Sequence, residues 1–417
     1  GSGGSYACAS CPSNTPTWCN GACTDTTSDR NNCGGCGPSF ACATGDGCKS
    51  GMCVPCTADL PPSVDVDTTQ WSVNFETSPT WNCNAAGTTT IDSGAGTITS
   101  TSCALGALDF TNNVTQSVAG GPAVMVVRLG GLTVENGHVL RLVGDKPVVL
   151  LVAGNVLVDL GGRIDAGAAK TIPGAGGSLA ANCAGGTGAS ENAMQWGGGG
   201  GGFGTPGGNG ANNNGSAAPG GGASAATNLQ PLRGGCSGGT GGGGAGAAGA
   251  GGGAFEISAS GTITIGTSTN VATLSAAGGG SPAVTTNQNV GSGGGGSGGA
   301  ILLVSPVLAT VGANGAARAH GGASGASEGC ICNRESSADD GQDGHSADDV
   351  IASGGSAVDV NAADGASGGL CSGSNCATKS AAGADGTAAQ APMSGSGGGG
   401  GGGRIQIVSA PASLSCP

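Results

Sequence analysis

From Ala123 to Asp165 the chain reads AVMVVRLGGLTVENGHVLRLVGDKPVVLLVAGNVLVDLGGRID. Apolar, β-branched runs alternate with Gly-Gly, Asn-Gly, Gly-Asp, Gly-Asn and Gly-Gly pairs. Each run is too short for a helix, and the pattern predicts short strands. Two arrangements fit them. Two-residue hairpins can turn at Asn136-Gly137 and Gly154-Asn155; alternatively, the strands form a solenoid. Internal repetition favours the solenoid. VVLLVAGNVLVDLGGRIDAGA from Val148, FEISASGTITIGTSTNVATLSAAGG from Phe255 and AILLVSPVLATVGANGAARAHGG from Ala300 share one layout, and RIQIVSAP from Arg404 is a truncated fourth copy. Strand, small-residue corner, strand, Gly or Asn corner and strand make a unit of about 20 residues, close to one turn of a parallel β-helix. Alternation places Leu150, Val152, Ile257, Ile263, Ile265, Leu302 and Val304 in the interior stack.

Between these units lie long glycine-rich excursions, Gly174 to Gly253, Gly278 to Gly299 and Gly321 to Gly403. A glycine-rich segment standing alone is a flexible linker. Ordered glycine needs an offset for its large entropy loss. Extended polyproline-II-like strands, packed side by side and bonded through their backbones, supply one. The expected fold is therefore all-β: a parallel β-helix with polyglycine-II-like excursions, plus a small disulfide-rich N-terminal module. The expected organisation is a Cys-rich module at 1–57, a β-rich leading segment at 58–122 and the glycine-rich β-helix at 123–417. Pro61-Pro62 marks the first boundary, and Thr/Ile alternation at Thr88 to Ile91 and Thr97 to Thr99 marks the strands of the second segment.

Composition narrows the class. Glycine makes up 93 of 417 residues, against about 7% in ordinary chains. Helix interiors disfavour glycine by about 1 kcal/mol each, so a helical bundle is excluded. The absence of a three-residue period excludes collagen. Charged residues are 9% and aromatics 2%, with a net charge of −13. That balance lacks the basic footprint of a nucleic-acid partner. No stretch reaches the ~20 apolar residues of a membrane span.

Nineteen cysteines point to an oxidising, extracellular or cell-surface location. Ten crowd the first 56 residues: Cys8, Cys11, Cys19, Cys23, Cys33, Cys36, Cys42, Cys48, Cys53 and Cys56. Their CxxC spacings suit zinc, but the absence of histidine and the intervening turn pairs favour a disulfide framework. Beyond them, Cys83 and Cys103 are expected to staple the leading segment, and Cys183 and Cys236 the first excursion. Cys330, Cys332, Cys371 and Cys376 are expected to pair among themselves. The odd count leaves one cysteine over. Cys416 is the candidate for a bond between subunits, or else pairs back within the chain.

The layout of residues 123–417 resembles glycine-rich right-handed β-helix proteins of bacterial cell surfaces. CNGACTDTTSDRNNCGGCG, within the first 37 residues, resembles a Cys-rich module of secreted myxobacterial proteins. Both resemblances imply secretion and a surface role, and neither brings a chemistry.

Candidate chemistry is sparse. Asp339, Asp340, Asp343, Asp348 and Asp349 form the one dense acidic run, a candidate Ca²⁺ site on a Gly-containing loop. Its spacing fails the EF-hand pattern at Gly341 and at position twelve, and the competing reading is a solvated acidic loop. Paired aspartates beside His345 also raise a polysaccharide hydrolase or lyase. Against it, aromatic side chains for sugar stacking are few, Trp196 and Phe203 being those of the glycine-rich parts. Asn113-Val-Thr115 and Asn214-Gly-Ser216 are glycosylation sequons. The expectation is a non-enzymatic secreted structural protein that needs no cofactor. Its partner is itself, assembled head to tail into a fibre or sheath. A monomeric adhesin for cell-surface polysaccharide is the alternative.

Overall fold

The computed structural model describes residues 17–19, 22–26, 29–42, 46–49, 51–55, 78–116, 118–178, 183–188, 190–191, 194–211, 217–243, 246–284, 290–327, 339–344, 350–356, 365–372, 379–386 and 396–409. The described chain is nearly all β, with 3-10 turns at Arg30–Asn32 and Pro38–Phe40 and no α-helix among the described residues.

Three sheets are built mainly from parallel ladders. The six-stranded sheet runs in the order Phe110–Val114, Val124–Leu129, Val148–Val152, Ala254–Ala259, Ala300–Ser305 and Arg404–Ser409. The five-stranded sheet runs Thr80–Cys83, Gly131–Val134, Val156–Val158, Ile263–Ile265 and Ala309–Val311. The eight-stranded sheet runs Thr97–Ser100, Gly87–Asp92, His138–Val143, Arg163–Asp165, Ala272–Ser275, Gly315–Arg318, Leu370–Ser372 and Lys379–Ala381. From Val124 to Arg318 the chain visits the six-, five- and eight-stranded sheets in that cyclic order four times, and Arg404–Ser409 returns to the six-stranded sheet a fifth time. The repeat seen in sequence is kept in register: Val148 pairs with Phe255, Phe255 with Ile301 and Ile301 with Ile405.

Side-chain alternation explains the packing. Met125, Val148, Phe255, Ile301 and Ile405 stack in one column of the six-stranded sheet, and Val127, Leu150, Ile257 and Leu303 in the next. Both columns join residues of the other two sheets, such as Val158, Ile164, Ile265 and Leu274, in one buried cluster. Leu302 and Val304, expected in that interior, face the opposite way. They lie with Val149, Leu151, Phe203, Leu229 and Leu232 in a second buried cluster. The strand AILLVS is apolar on both faces because both are covered, so alternation alone could not set its phase. The Asn136-Gly137 pair adopts positive φ of 53° and 75°, as a tight turn requires. It joins strands of two different sheets, so it makes a corner and no hairpin.

The strand ladder ends in antiparallel strands at several places. Thr97–Ser100 pairs antiparallel with Gly87–Asp92, and Phe110–Val114 with Val124–Leu129. At the other end of the eight-stranded sheet, Leu370–Ser372 and Lys379–Ala381 form an antiparallel pair contributed by the third excursion. Among the described residues, the strands of these sheets with a neighbouring strand on one side only are Thr80–Cys83 and Ala309–Val311 in the five-stranded sheet, Phe110–Val114 and Arg404–Ser409 in the six-stranded sheet, and Thr97–Ser100 and Lys379–Ala381 in the eight-stranded sheet.

The excursions are the other half of the molecule. Residues 197–203, 291–300 and 396–403 are buried, and most carry no strand pairing. Within 197–202, Gly198 and Gly201 donate to Ser292 and Gly295, Gly199 and Gly202 donate to Gly186 and Cys183, and Gly200 donates to Gly208. The carbonyls of Gly198 and Gly201 accept from Gly398 and Gly401, that of Gly199 from Gly239, and that of Gly200 from Gly221. One segment thus bonds to six neighbours, and residues three apart share a neighbour. Residues 290–299 likewise bond to 236–239, 398–404, 276–279, 198–201, 249–252 and 322. Glycine is required by contact distance: a Cβ on Gly200 would overlap the Gly399 carbonyl, and one on Gly294 the Gly199 carbonyl.

Candidate functional site

The acidic run lies at the margin of this glycine array. Residues 339–344 and 350–356 border an open polar hollow of about 580 Å³, lined by Asp339, Asp340, Gln342, Ser353, Gly354 and Ser356. Asp340 and Asp343 are engaged by the protein, and Asp339 is exposed. Asp343 Oδ1 accepts from the backbone N–H of Lys170 at 2.9 Å and of Gly280 at 2.7 Å. Asp340 Oδ1 accepts from Ala283 N–H at 2.8 Å, and its Oδ2 stands 3.8 Å from Lys170 Nζ. Lys170 Nζ also donates to the Gly341 carbonyl. The Asp340 and Asp343 carboxylates therefore staple segment 339–344 to 276–284 and to the Lys170 corner. Asp348, Asp349 and His345 lie outside the described residues.

A carboxylate that the sequence reading passed over is the most tightly held. Asp159 is 3% exposed and follows the strand Val156–Val158. Its oxygens accept from Thr267 Oγ1 at 2.6 Å, Ser268 Oγ at 2.8 Å, Ser268 N at 2.9 Å and Leu160 N at 2.9 Å. Burial works against its charge, yet the Thr267 and Ser268 donors and the Leu160 N–H outweigh it and lower its pKa to about 2. The signal was present in sequence: an Asp before Leu-Gly-Gly, one repeat ahead of Thr267-Ser268. Two histidines are also structural. His138 gives its Nδ1 proton to the Ala85 carbonyl at 2.9 Å, leaving Nε2 to accept from Thr89 Oγ1 at 2.9 Å. His320 Nδ1 accepts from Cys371 N–H at 3.0 Å.

Disulfides join Cys19 to Cys36, Cys33 to Cys48, Cys42 to Cys53, Cys83 to Cys103 and Cys183 to Cys236. Cys23 and Cys371 are also disulfide-bonded. Cys8, Cys11, Cys56, Cys330, Cys332, Cys376 and Cys416 lie outside the described residues. The sulfurs of Cys33, Cys42 and Cys53 approach within 4.8 Å, a spacing a metal ion can use. All three are oxidised, whereas a metal needs the thiolate.

Trp196 and Phe203 are 2% and 1% exposed, so neither offers a sugar-stacking face. Among the described residues, the exposed aromatics are Trp18 and Phe40, both in the Cys-rich N-terminal region. No described helix is long and apolar enough to cross a membrane. The chain matches no family model, no curated protein and no solved structure.

Proposed function

We propose that the chain is a secreted structural protein, a subunit of an extracellular fibre or sheath. The three ladders are read as the walls of a closed, three-sided parallel β-helix, and the glycine segments as a polyglycine-II bundle fused to its side. The glycine array carries the reading. Backbone bonds in three directions, six neighbours per interior segment and buried glycines give a rigid body whose order owes little to side chains. The disulfides agree with an oxidising compartment, which the lumen or exterior of a cell supplies.

Head-to-tail assembly draws on edge strands at the two ends of the ladders, Thr80–Cys83 at one and Ala309–Val311 and Arg404–Ser409 at the other. Such strands offer backbone groups to another chain. A heterologous contact that does not close then builds a filament. Electron microscopy of native material, with a parallel reduced sample, tests this. Fibres repeating at one subunit length support it; a monodisperse monomer at high concentration rules it out.

A second reading has an observation of its own. Trp18 and Phe40, 54% and 42% exposed, offer rings on a disulfide-held module, as a polysaccharide adhesin would use. Glycan-array binding that is lost on Trp18→Ala or Phe40→Ala, in a protein that stays monomeric, selects this reading over the fibre.

A further inference from the structure

We propose that the Cys-rich module is a thiol-capture site, taking a thiolate at Cys53 and locking it there by exchange between two adjoining disulfides. Cys33 is bonded to Cys48 and Cys42 to Cys53. Yet the sulfurs of Cys33, Cys42 and Cys53 all lie within 4.8 Å of one another, so a sulfur of one bond stands beside both sulfurs of the other. Their exposure is graded. Cys53 is exposed. Cys42, Cys33 and Cys48 are 9%, 5% and 0% exposed. Access decides which sulfur of a disulfide is attacked, so an incoming thiolate meets Cys53 and the inner Cys42 becomes the leaving group.

Two exchanges follow. In the first, the incoming sulfur bonds to Cys53, the Cys42–Cys53 bond breaks, and its electron pair leaves on Cys42. In the second, the Cys42 thiolate attacks Cys33. The Cys33–Cys42 bond forms, the Cys33–Cys48 bond breaks, and the electron pair leaves on Cys48. Cys48 takes up the proton that the incoming thiol gave up to the medium, and its sulfur stands 3.5 Å from the Thr26 carbonyl, an acceptor for the new S–H. One thiol is consumed and one appears, and the number of disulfides is unchanged, so no oxidant is needed. The second step locks the first, because Cys42, the sulfur that would expel the captured thiol, is now tied to Cys33.

The thiolate comes from a small-molecule thiol or from a second copy of the chain. Nineteen cysteines are an odd number, so at least one lacks a partner within these 417 residues. The capture does not depend on the fibre reading, since a monomer with a small thiol performs it equally.

The test is a non-reducing disulfide map. The full chain is incubated with glutathione at mildly alkaline pH, quenched with excess N-ethylmaleimide in denaturant so that buried thiols also react, and analysed by mass spectrometry. The expected products carry glutathione on Cys53, a Cys33–Cys42 bond and maleimide on Cys48. Glutathione on Cys53 with Cys33–Cys48 intact and maleimide on Cys42 overturns the relay. Adducts confined to other cysteines, or no adduct and no covalent dimer, overturn the site. In the second arm, concentrated protein without glutathione is run on a non-reducing gel. A dimer linked through Cys53 assigns the source to another copy, whereas monomer alone, with the glutathione map as expected, assigns it to small thiols. In a Cys33→Ser, Cys48→Ser variant the Cys53 adduct is expected to be released several-fold faster on dilution into glutathione-free buffer. If that variant does not fold, the wild-type map decides.

Discussion

Asp159 illustrates how much one side chain does in a molecule with so few charges. Its carboxylate closes the corner after Val156–Val158 by holding Thr267 and Ser268 of the next repeat. The folded pKa of about 2 lies below the ordinary value of 3.8. A depressed carboxylate stabilises the fold above the unfolded value, and that stability is lost as pH falls from about 4 towards 2. The shift corresponds to about 2 kcal/mol. Asp159→Ala is therefore expected to lower the unfolding free energy by that order at pH 7, and to flatten the acid limb of a stability-against-pH curve. An unchanged acid limb would remove Asp159 from this role. Glycine supplies the contrasting case. At Gly200 an added Cβ overlaps the Gly399 carbonyl, while at Gly222 it meets nothing within 4 Å. Gly200→Ala is expected to cost about 1–3 kcal/mol or more through overpacking. Gly222→Ala is expected to be neutral, or to stabilise by up to ~1 kcal/mol through the unfolded chain. Equal melting temperatures for the two variants would contradict the packing seen around Gly200.

At the scale of elements, the six-stranded sheet differs from the five-stranded one in what covers it. Leu302 and Leu303 are both fully buried, on opposite faces. In the five-stranded sheet Ile263 and Ile265 point inward and Thr264 is half-buried. Leu303→Ala is expected to cost about 2–5 kcal/mol in chemical denaturation. Thr264→Ala should fall within about 0.5 kcal/mol, as outward positions do. Leu302→Ala costing as little as Thr264→Ala would show that the second cluster does not seal that face. This difference also sets what sequence could reveal. The repeats at Val148, Phe255, Ala300 and Arg404 were legible because each strand keeps its length and its glycine corners. The phase of Leu302 and Val304 was not, because their cover is Phe203, Leu229 and Leu232, far away in the chain. The antiparallel pair Leu370–Ser372 and Lys379–Ala381 was hidden for a similar reason: LCS and KSA carry no periodicity, and their place is fixed by docking beside Gly315–Arg318. In the acidic run, carboxylate density was visible, but the backbone N–H groups of Lys170, Gly280 and Ala283 that engage it come from other segments.

At the scale of the whole molecule, order has to be carried through segments with almost no side chains to bury. Two things offset the entropy of glycine: the lattice of backbone bonds and the cross-link from Cys183 to Cys236, 53 residues apart. Closing a loop of that length constrains the unfolded chain by about 4 kcal/mol in the entropic account. Replacing both cysteines by alanine is expected to lower stability by up to that amount while leaving the ladders of the other elements intact by circular dichroism. The lattice itself makes the sharper prediction. In most proteins glycine-rich stretches without strands exchange their amide hydrogens at once. Here the amides of Gly198 to Gly202 and of Gly294 to Gly299 are bonded to buried carbonyls on several sides. They open only when neighbouring segments separate, so their protection should approach that of the whole fold. Amides of the exposed positions 222 and 223 should exchange far faster. Hydrogen exchange read by mass spectrometry separates the cases. Coil-like exchange across 197–202 would mean that the glycines do not form a cooperative body, and the rigid structural role would fall with it. Protection equal to that of Val148–Val152 would mean that glycine segments and strands unfold as one unit, as the proposed structural role requires.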